Sequence, residues 1–120
     1  MNKVFQGLYC DTTEGLIYNS TAISIGQANS AMIEGWLISS SLSAVATVKL
    51  QGSNDGQKWT TIQDISPSDV KVSLGNSAPD YKESSGQKCV IGFAQLRLTV
   101  VLTGSGKCVL DASIRTFQTA

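Results

Sequence analysis

Nine carboxylates, three thiols and no histidine are the groups with which this chain could do chemistry. The carboxylates are Asp11, Glu14, Glu34, Asp55, Asp64, Asp69, Asp80, Glu83 and Asp111. A glycosidase needs two of them facing each other across a cleft. Glu34, beside Trp36 on an otherwise apolar segment, is the one to consider; a strand-edge charge or a partner across a subunit interface is its plainer role. Without histidine the commonest general base and metal ligand is missing, and neither a Ser-His-Asp nor a Cys-His site can be built. Cys10, Cys89 and Cys108 lie far apart, with no pair at zinc-ligand spacing. Their odd number points to reduced, packed thiols, with an inter-subunit disulfide as the functional alternative. Asn54-Asp55-Gly56 has one carboxylate where a calcium loop needs several, so it reads as a tight turn. The expectation is a protein that is not an enzyme and uses no metal and no cofactor.

Binding chemistry is better represented. Tyr9, Tyr18, Trp36, Trp59 and Tyr81 could build an aromatic platform for sugars. Trp59 directly follows a turn and is expected to cap the core. Tyr81 lies in a polar stretch, where Asp80, Tyr81, Lys82 and Glu83 read as an exposed ligand loop. Phe5, Leu8, Tyr9, Met32, Trp36 and Phe117 are the candidate subunit contacts.

Strands must position these groups, because the chain alternates at period two and lacks helical periodicity. In Gln95 to Leu102, Leu96, Leu98, Val100 and Leu102 share one face. In Lys107 to Thr116, Cys108, Leu110, Ala112 and Ile114 do. Gly104-Ser105-Gly106 between them predicts a hairpin. Pairing Thr103 with Lys107 brings all eight apolar residues together and sets Arg97 diagonal to Asp111. A second hairpin is expected over Ala44 to Gln63, around Gly52-Ser53-Asn54-Asp55-Gly56. Leu16 to Tyr18 and Ala22 to Ile25 predict short strands. Ala31 to Ser39 is apolar on both faces, Ile33 and Leu37 on one and Met32, Trp36 and Ile38 on the other. Such a strand is covered on both sides, by a neighbouring subunit or by loops. Residues 64 to 87 read as polar connection, except Val70 to Leu74, and the strand pattern resumes over Lys88 to Phe93.

At 120 residues, 42% of them hydrophobic, residues 1–120 predict one domain able to bury a core. The fold class is all-β: an antiparallel sandwich of jelly-roll type with about eight strands. Net charge is zero, and the scattered cations argue against a nucleic-acid partner. No stretch has the roughly 18 apolar residues of a membrane helix. Met1 to Gly7 does not read as a signal peptide, being broken by Gln6 and Gly7, so a protein made in the cytoplasm is expected, which either stays there or leaves by lysis or an unusual route.

The run from Val48 to Ile62, with Gln51-Gly52-Ser53-Asn54-Asp55-Gly56 and Trp59, resembles the strand-turn-strand signature of discoidin-like, galactose-binding-like jelly rolls. Similar hairpins occur in small structural proteins of tailed phages. Leu96 to Val100 and Val109 to Ile114 resemble the closing strands of such modules. Discoidin-like modules are usually exported, are longer, and often carry a cysteine pair joining their ends; this chain departs from them on those points. The resemblance implies a capsid or head-decoration subunit of a phage virion, binding copies of itself and other particle proteins. The alternative it implies is a non-catalytic carbohydrate-binding module, with glycans as partners.

Overall fold

Alternation at period two places every second side chain on one face of a strand, and a sheet with one oily face must cover it with another layer. The chain does this with two antiparallel sheets. The computed structural model describes residues 2–41, 43–64, 68–75 and 79–119. Ser66, Pro67, Asn76, Ser77 and Ala78 of the polar stretch lie outside them.

The strands are β1 (Asn2–Asp11), β2 (Ile17–Asn19), β3 (Ile23–Ser24), β4 (Ser30–Ser40), β5 (Ala44–Ser53), β6 (Thr60–Thr61), β7 (Lys71–Leu74), β8 (Asp80–Gly86), β9 (Gln95–Gly104) and β10 (Lys107–Phe117). One sheet has the order β1-β10-β4-β8. The other is centred on β9 and β5, with β2 and β3 against β9 and β6 and β7 against β5. Successive segments cross repeatedly between the sheets, as in a jelly roll. Among the described residues there are ten strands, where about eight are expected for the type.

The inward faces agree with the periodicity. Leu96, Leu98, Val100 and Leu102 of β9 are buried, as are Cys108, Leu110, Ala112 and Ile114 of β10. Ile33 and Leu37 of β4 and Ala46, Val48 and Leu50 of β5 join the same core. Each fully buried Leu, Ile or Val contributes about 1.5–3 kcal/mol relative to exposure.

The partner of β9 differs from the expectation. β9 and β10 do not form a hairpin: β9 pairs with β5 and β2, β10 with β1 and β4. Gly104-Ser105-Gly106 is an arch that carries the chain from one sheet to the other. In the sandwich both apolar faces are buried in the shared core, each strand covered by the opposite sheet. The arch is fastened on both sides. The Gly106 N–H donates to Thr12 Oγ1 at 3.0 Å and the Lys107 N–H donates to Ser41 Oγ at 2.8 Å. Arg97 and Asp111 therefore lie on different sheets.

One strand has no counterpart in the sequence pattern, and two expectations are corrected. β1 carries no clean alternation because its register shifts twice, between Lys3 and Phe5 and between Phe5 and Leu8, with Gly7 at φ +61°. β8, expected as polar connection, is an edge strand that among the described residues pairs with β4 alone. Its polar side chains suit an edge, where apolar ones would invite pairing with another chain. Lys88 to Phe93, expected as strand, is a turn with Lys88 at φ +53°.

The hairpin between β5 and β6 forms as expected, pairing Gln51 with Thr61 and Gly52 with Thr60. Its turn is built on Asp55. Asp55 Oδ1 accepts the N–H groups of Gln57 and Lys58 at 2.9 Å each, and Ser53 Oγ donates to it at 3.0 Å. The backbone hydrogen bonds from Lys58 and Gln57, and then the side-chain hydroxyl of Ser53, hold the Asp55 carboxyl below its ordinary 3.8. A depressed folded-state pKa means stability present above about pH 4 and lost as pH falls through the folded value. Wild-type urea midpoints should therefore fall more steeply between about pH 5 and pH 3 than those of Asp55→Asn, which cannot ionise. Parallel curves would show that the turn carboxylate contributes nothing.

Candidate binding face

β4 lies between β10 and β8, so its outward residues sit at the centre of a broad surface. Registers align three rows across that surface: Tyr81, Trp36 and Asp111; Glu83, Glu34 and Ser113; Ser85, Met32 and Arg115. Residues directly opposite one another on a sheet share a face and touch. The first row is the richest. The Trp36 and Tyr81 rings have centroids 5.3 Å apart and are tilted by 40°, a favourable aromatic arrangement. Lys3 Nζ lies 5.9 Å from the Trp36 ring centroid and 3.2 Å from Asp111 Oδ2. Asp111 Oδ1 accepts the Gly7 N–H at 2.6 Å. Asp111 thus fastens the bulge of β1 and positions Lys3 beside the indole. As an ion pair open to solvent the contact contributes at most about 1 kcal/mol, so its role is placement.

Together Lys3, Trp36, Leu37, Ile38, Pro79, Asp80, Tyr81 and Asp111 line an open concavity of about 590 Å³. Ile38 is 52% exposed at its rim. Apolar rings and a methyl-rich rim, flanked by two carboxylates and an ammonium, offer both hydrophobic contact and hydrogen bonding. The Tyr81 hydroxyl donates to Glu83 Oε2 at 2.9 Å. That bond, with further help from Glu34, pushes its pKa up to about 12; at neutral pH it is a hydroxyl and not a base. Among the described residues no group of three or more acids and cysteines is placed to hold a metal, and no helix is long and apolar enough to cross a membrane.

The structure separates the sequence candidates into two sets. Tyr9, Met32 and Trp36 are on the outer face, Tyr9 toward the far end against Ser39 and Val109. Phe5 is buried in the core and Leu8 packs against it, so neither presents its side chain outward as a subunit contact would. Phe117 is half-buried at the end of β10. Of the expected ligand loop, Tyr81 and Asp80 line the concavity, and Glu83 lies one row away. Lys82, exposed beside them, alternates with both on β8. Sequence reasoning missed Ile38 as a lining residue although its spacing from Trp36 was visible. It missed Lys3 and Asp111 because only the register of β1 against β10 brings them to Trp36. Trp59 does not cap the core. It lies on the outside of the other sheet, with the Arg97 guanidinium 4.3 Å from its ring, and Arg97 Nε donates to Gln51 Oε1 at 2.8 Å.

No family model matches the chain, and neither does any curated protein. Solved structures do. An SPBc2 prophage-derived protein, YomS, superposes with a TM-score of 0.52 at 12% identity, over 95% of this chain and 88% of that one. The chain shares its fold with a phage-derived protein. A second structure, TmCBM61 in complex with β-1,4-galactotriose, gives a TM-score of 0.49 at 10% identity, over 94% of this chain and 69% of that one.

Proposed function

We propose that this protein is a non-catalytic structural subunit of a phage particle, which docks on its neighbours through the outer face of its four-stranded sheet. The observation that carries this reading is the open aromatic concavity around Trp36, Tyr81 and Ile38. Exposed apolar area gathered on a rigid sheet is a surface suited to a partner. The shared fold with a prophage-derived protein supports the phage setting. The proposed contacts are Trp36, Met32 and Tyr9, with Phe117 at the margin; Phe5 and Leu8 act from beneath by holding β1 in place. The partners are other particle proteins and copies of this chain, and the place of action is the virion. Purified particles should contain the chain, and particles lacking it should take up the recombinant protein, followed by co-sedimentation and imaging. A protein that stays in the supernatant and is absent from particles overturns the reading.

A glycan is the second reading, favoured by the adjacent Trp36 and Tyr81 rings with Asp80 at their side. Sugars place their C–H faces on aromatic rings and their hydroxyls on carboxylates. Titration of galactose- and glucose-based oligosaccharides while Trp36 fluorescence is followed, with Trp59→Phe to remove the other indole, separates it from protein docking. No response at millimolar sugar retires it.

A further inference from the structure

Two pairs of like charges stand directly opposite each other on neighbouring strands. Glu34 of β4 pairs with Glu83 of β8 on the outer face of the four-stranded sheet. Lys49 of β5 pairs with Lys71 of β7 on the outer face of the other sheet, where they alternate with buried Val48, Leu50 and Val72. Like charges in such positions destabilise a sheet. Neither pair is compensated within the chain. Among the described residues no cation lies within ion-pair distance of the two glutamates, and no carboxylate within that of the two lysines. Lys3 is occupied by Asp111, and Lys107 and Arg115 lie toward the two ends of β10. The Tyr81 hydroxyl that Glu83 accepts carries no charge. The strands of the other sheet hold no acid; Asp69, just before β7, accepts from the Gln63 amide at 3.1 Å. The middle of one outer face is therefore negative and the middle of the other positive, in a chain of zero net charge. Apolar area adjoins both pairs. The glutamates lie one row from Tyr81 and Trp36. Lys49 lies one row from Thr47 and Val101, and Ile17, opposite Val101, is 63% exposed.

We propose that copies of this chain associate head to tail, the Glu34–Glu83 pair of one copy meeting the Lys49–Lys71 pair of the next. This assembly rests on the reading of the Trp36 face as a docking face and gives that face a second copy as its occupant. Opposite potentials draw the two faces together and keep like faces apart. A contact of the negative face with itself would bring four carboxylates together, and one of the positive face with itself four ammonium groups. The contact is therefore between unlike surfaces, and each copy that joins still presents a free face. Assembly thus continues past the dimer. A copy docked on a particle by its Trp36 face keeps its lysine face open to the next copy. Trp59 lies toward the turn end of the positive sheet, beyond Arg97 and away from the lysine pair.

Sedimentation velocity of the purified whole chain over a concentration series tests this. The average mass should rise with concentration past that of a dimer at about 0.1 M NaCl. It should fall back toward the monomer at about 1 M, where the screening length has dropped from about 10 Å to about 3 Å. Lys49→Glu with Lys71→Glu, and separately Glu34→Lys with Glu83→Lys, should each weaken self-association by about 100-fold, because like charges then meet across the contact. An equimolar mixture of the two double variants has opposite charges at every contact and should associate as the wild type does. Urea midpoints establish that both variants fold. A lysine-pair variant that associates like the wild type would mean that the Trp36 face meets itself, and overturns the head-to-tail contact. So does a mixture of folded variants that stays monomeric. A wild-type chain that is monomeric throughout yet docks on particles overturns the head-to-tail contact alone. One that stacks in solution but never binds particles overturns the phage reading alone.

Discussion

Trp36→Ala should weaken docking on the particle by about 30- to 1000-fold, equivalent to about 2–4 kcal/mol, the range of a central tryptophan hot spot. Trp36 is at the middle of the outer face, with Tyr81 on one side and Asp111 on the other. Removing its indole takes away the floor on which Lys3 rests and the ring that Tyr81 tilts against. The inward neighbours Gly35 and Leu37 are untouched, so the fold should survive and the urea midpoint should move little. Co-sedimentation with particles lacking the protein measures the loss. Trp59→Ala, on the opposite sheet, is the comparison. Equal effects from the two substitutions would show that the face around Trp36 has no special part in docking.

Gly104→Ala should destabilise the protein by about 3 kcal/mol, the sum of a strained backbone and an overpacked contact. Gly104 has φ +85°, which L residues rarely adopt, and an added Cβ would collide with the carbonyl oxygen of Ser43. Backbone cannot give way as a flexible side chain can. The arch at Gly104 also sets the direction in which β10 leaves for the other sheet, where Thr12 and Ser41 receive it. Chemical denaturation of Gly104→Ala beside Ser105→Ala, whose site lacks that collision, would measure the cost. A midpoint equal to that of wild type would mean that the arch tolerates a side chain and that its geometry is not a constraint on the sandwich.

The residues around these two sites show how far the sequence could be read. Leu96, Leu98, Val100 and Leu102 are inward on β9 because alternation assigns faces one strand at a time, and burying a face stabilises it whichever strand lies alongside. For the same reason Ile33 and Leu37 are inward while Met32, Trp36 and Ile38 are outward. The turn at Asp55 was legible because its hydrogen bonds are all local. β8 was not legible. An edge strand with Lys82 and Glu83 has the composition of a loop, and only its backbone pairing to β4 makes it a strand. β1 was hidden by its own register breaks.

The amino-acid sequence by itself thus determined the class of structure, the inward face of each strongly alternating strand, and the lack of any histidine-based chemistry, since these follow from side-chain type and from neighbours one or two positions away. Only the tertiary structure decided that the glycine connection at 104–106 is an arch between sheets, that Lys3 and Asp111 flank Trp36, and that Cys10 meets Cys108. Period-two alternation is the same in a hairpin and in an arch. The choice between them belongs to the packing of the two whole sheets, which requires that each oily face be covered by the other.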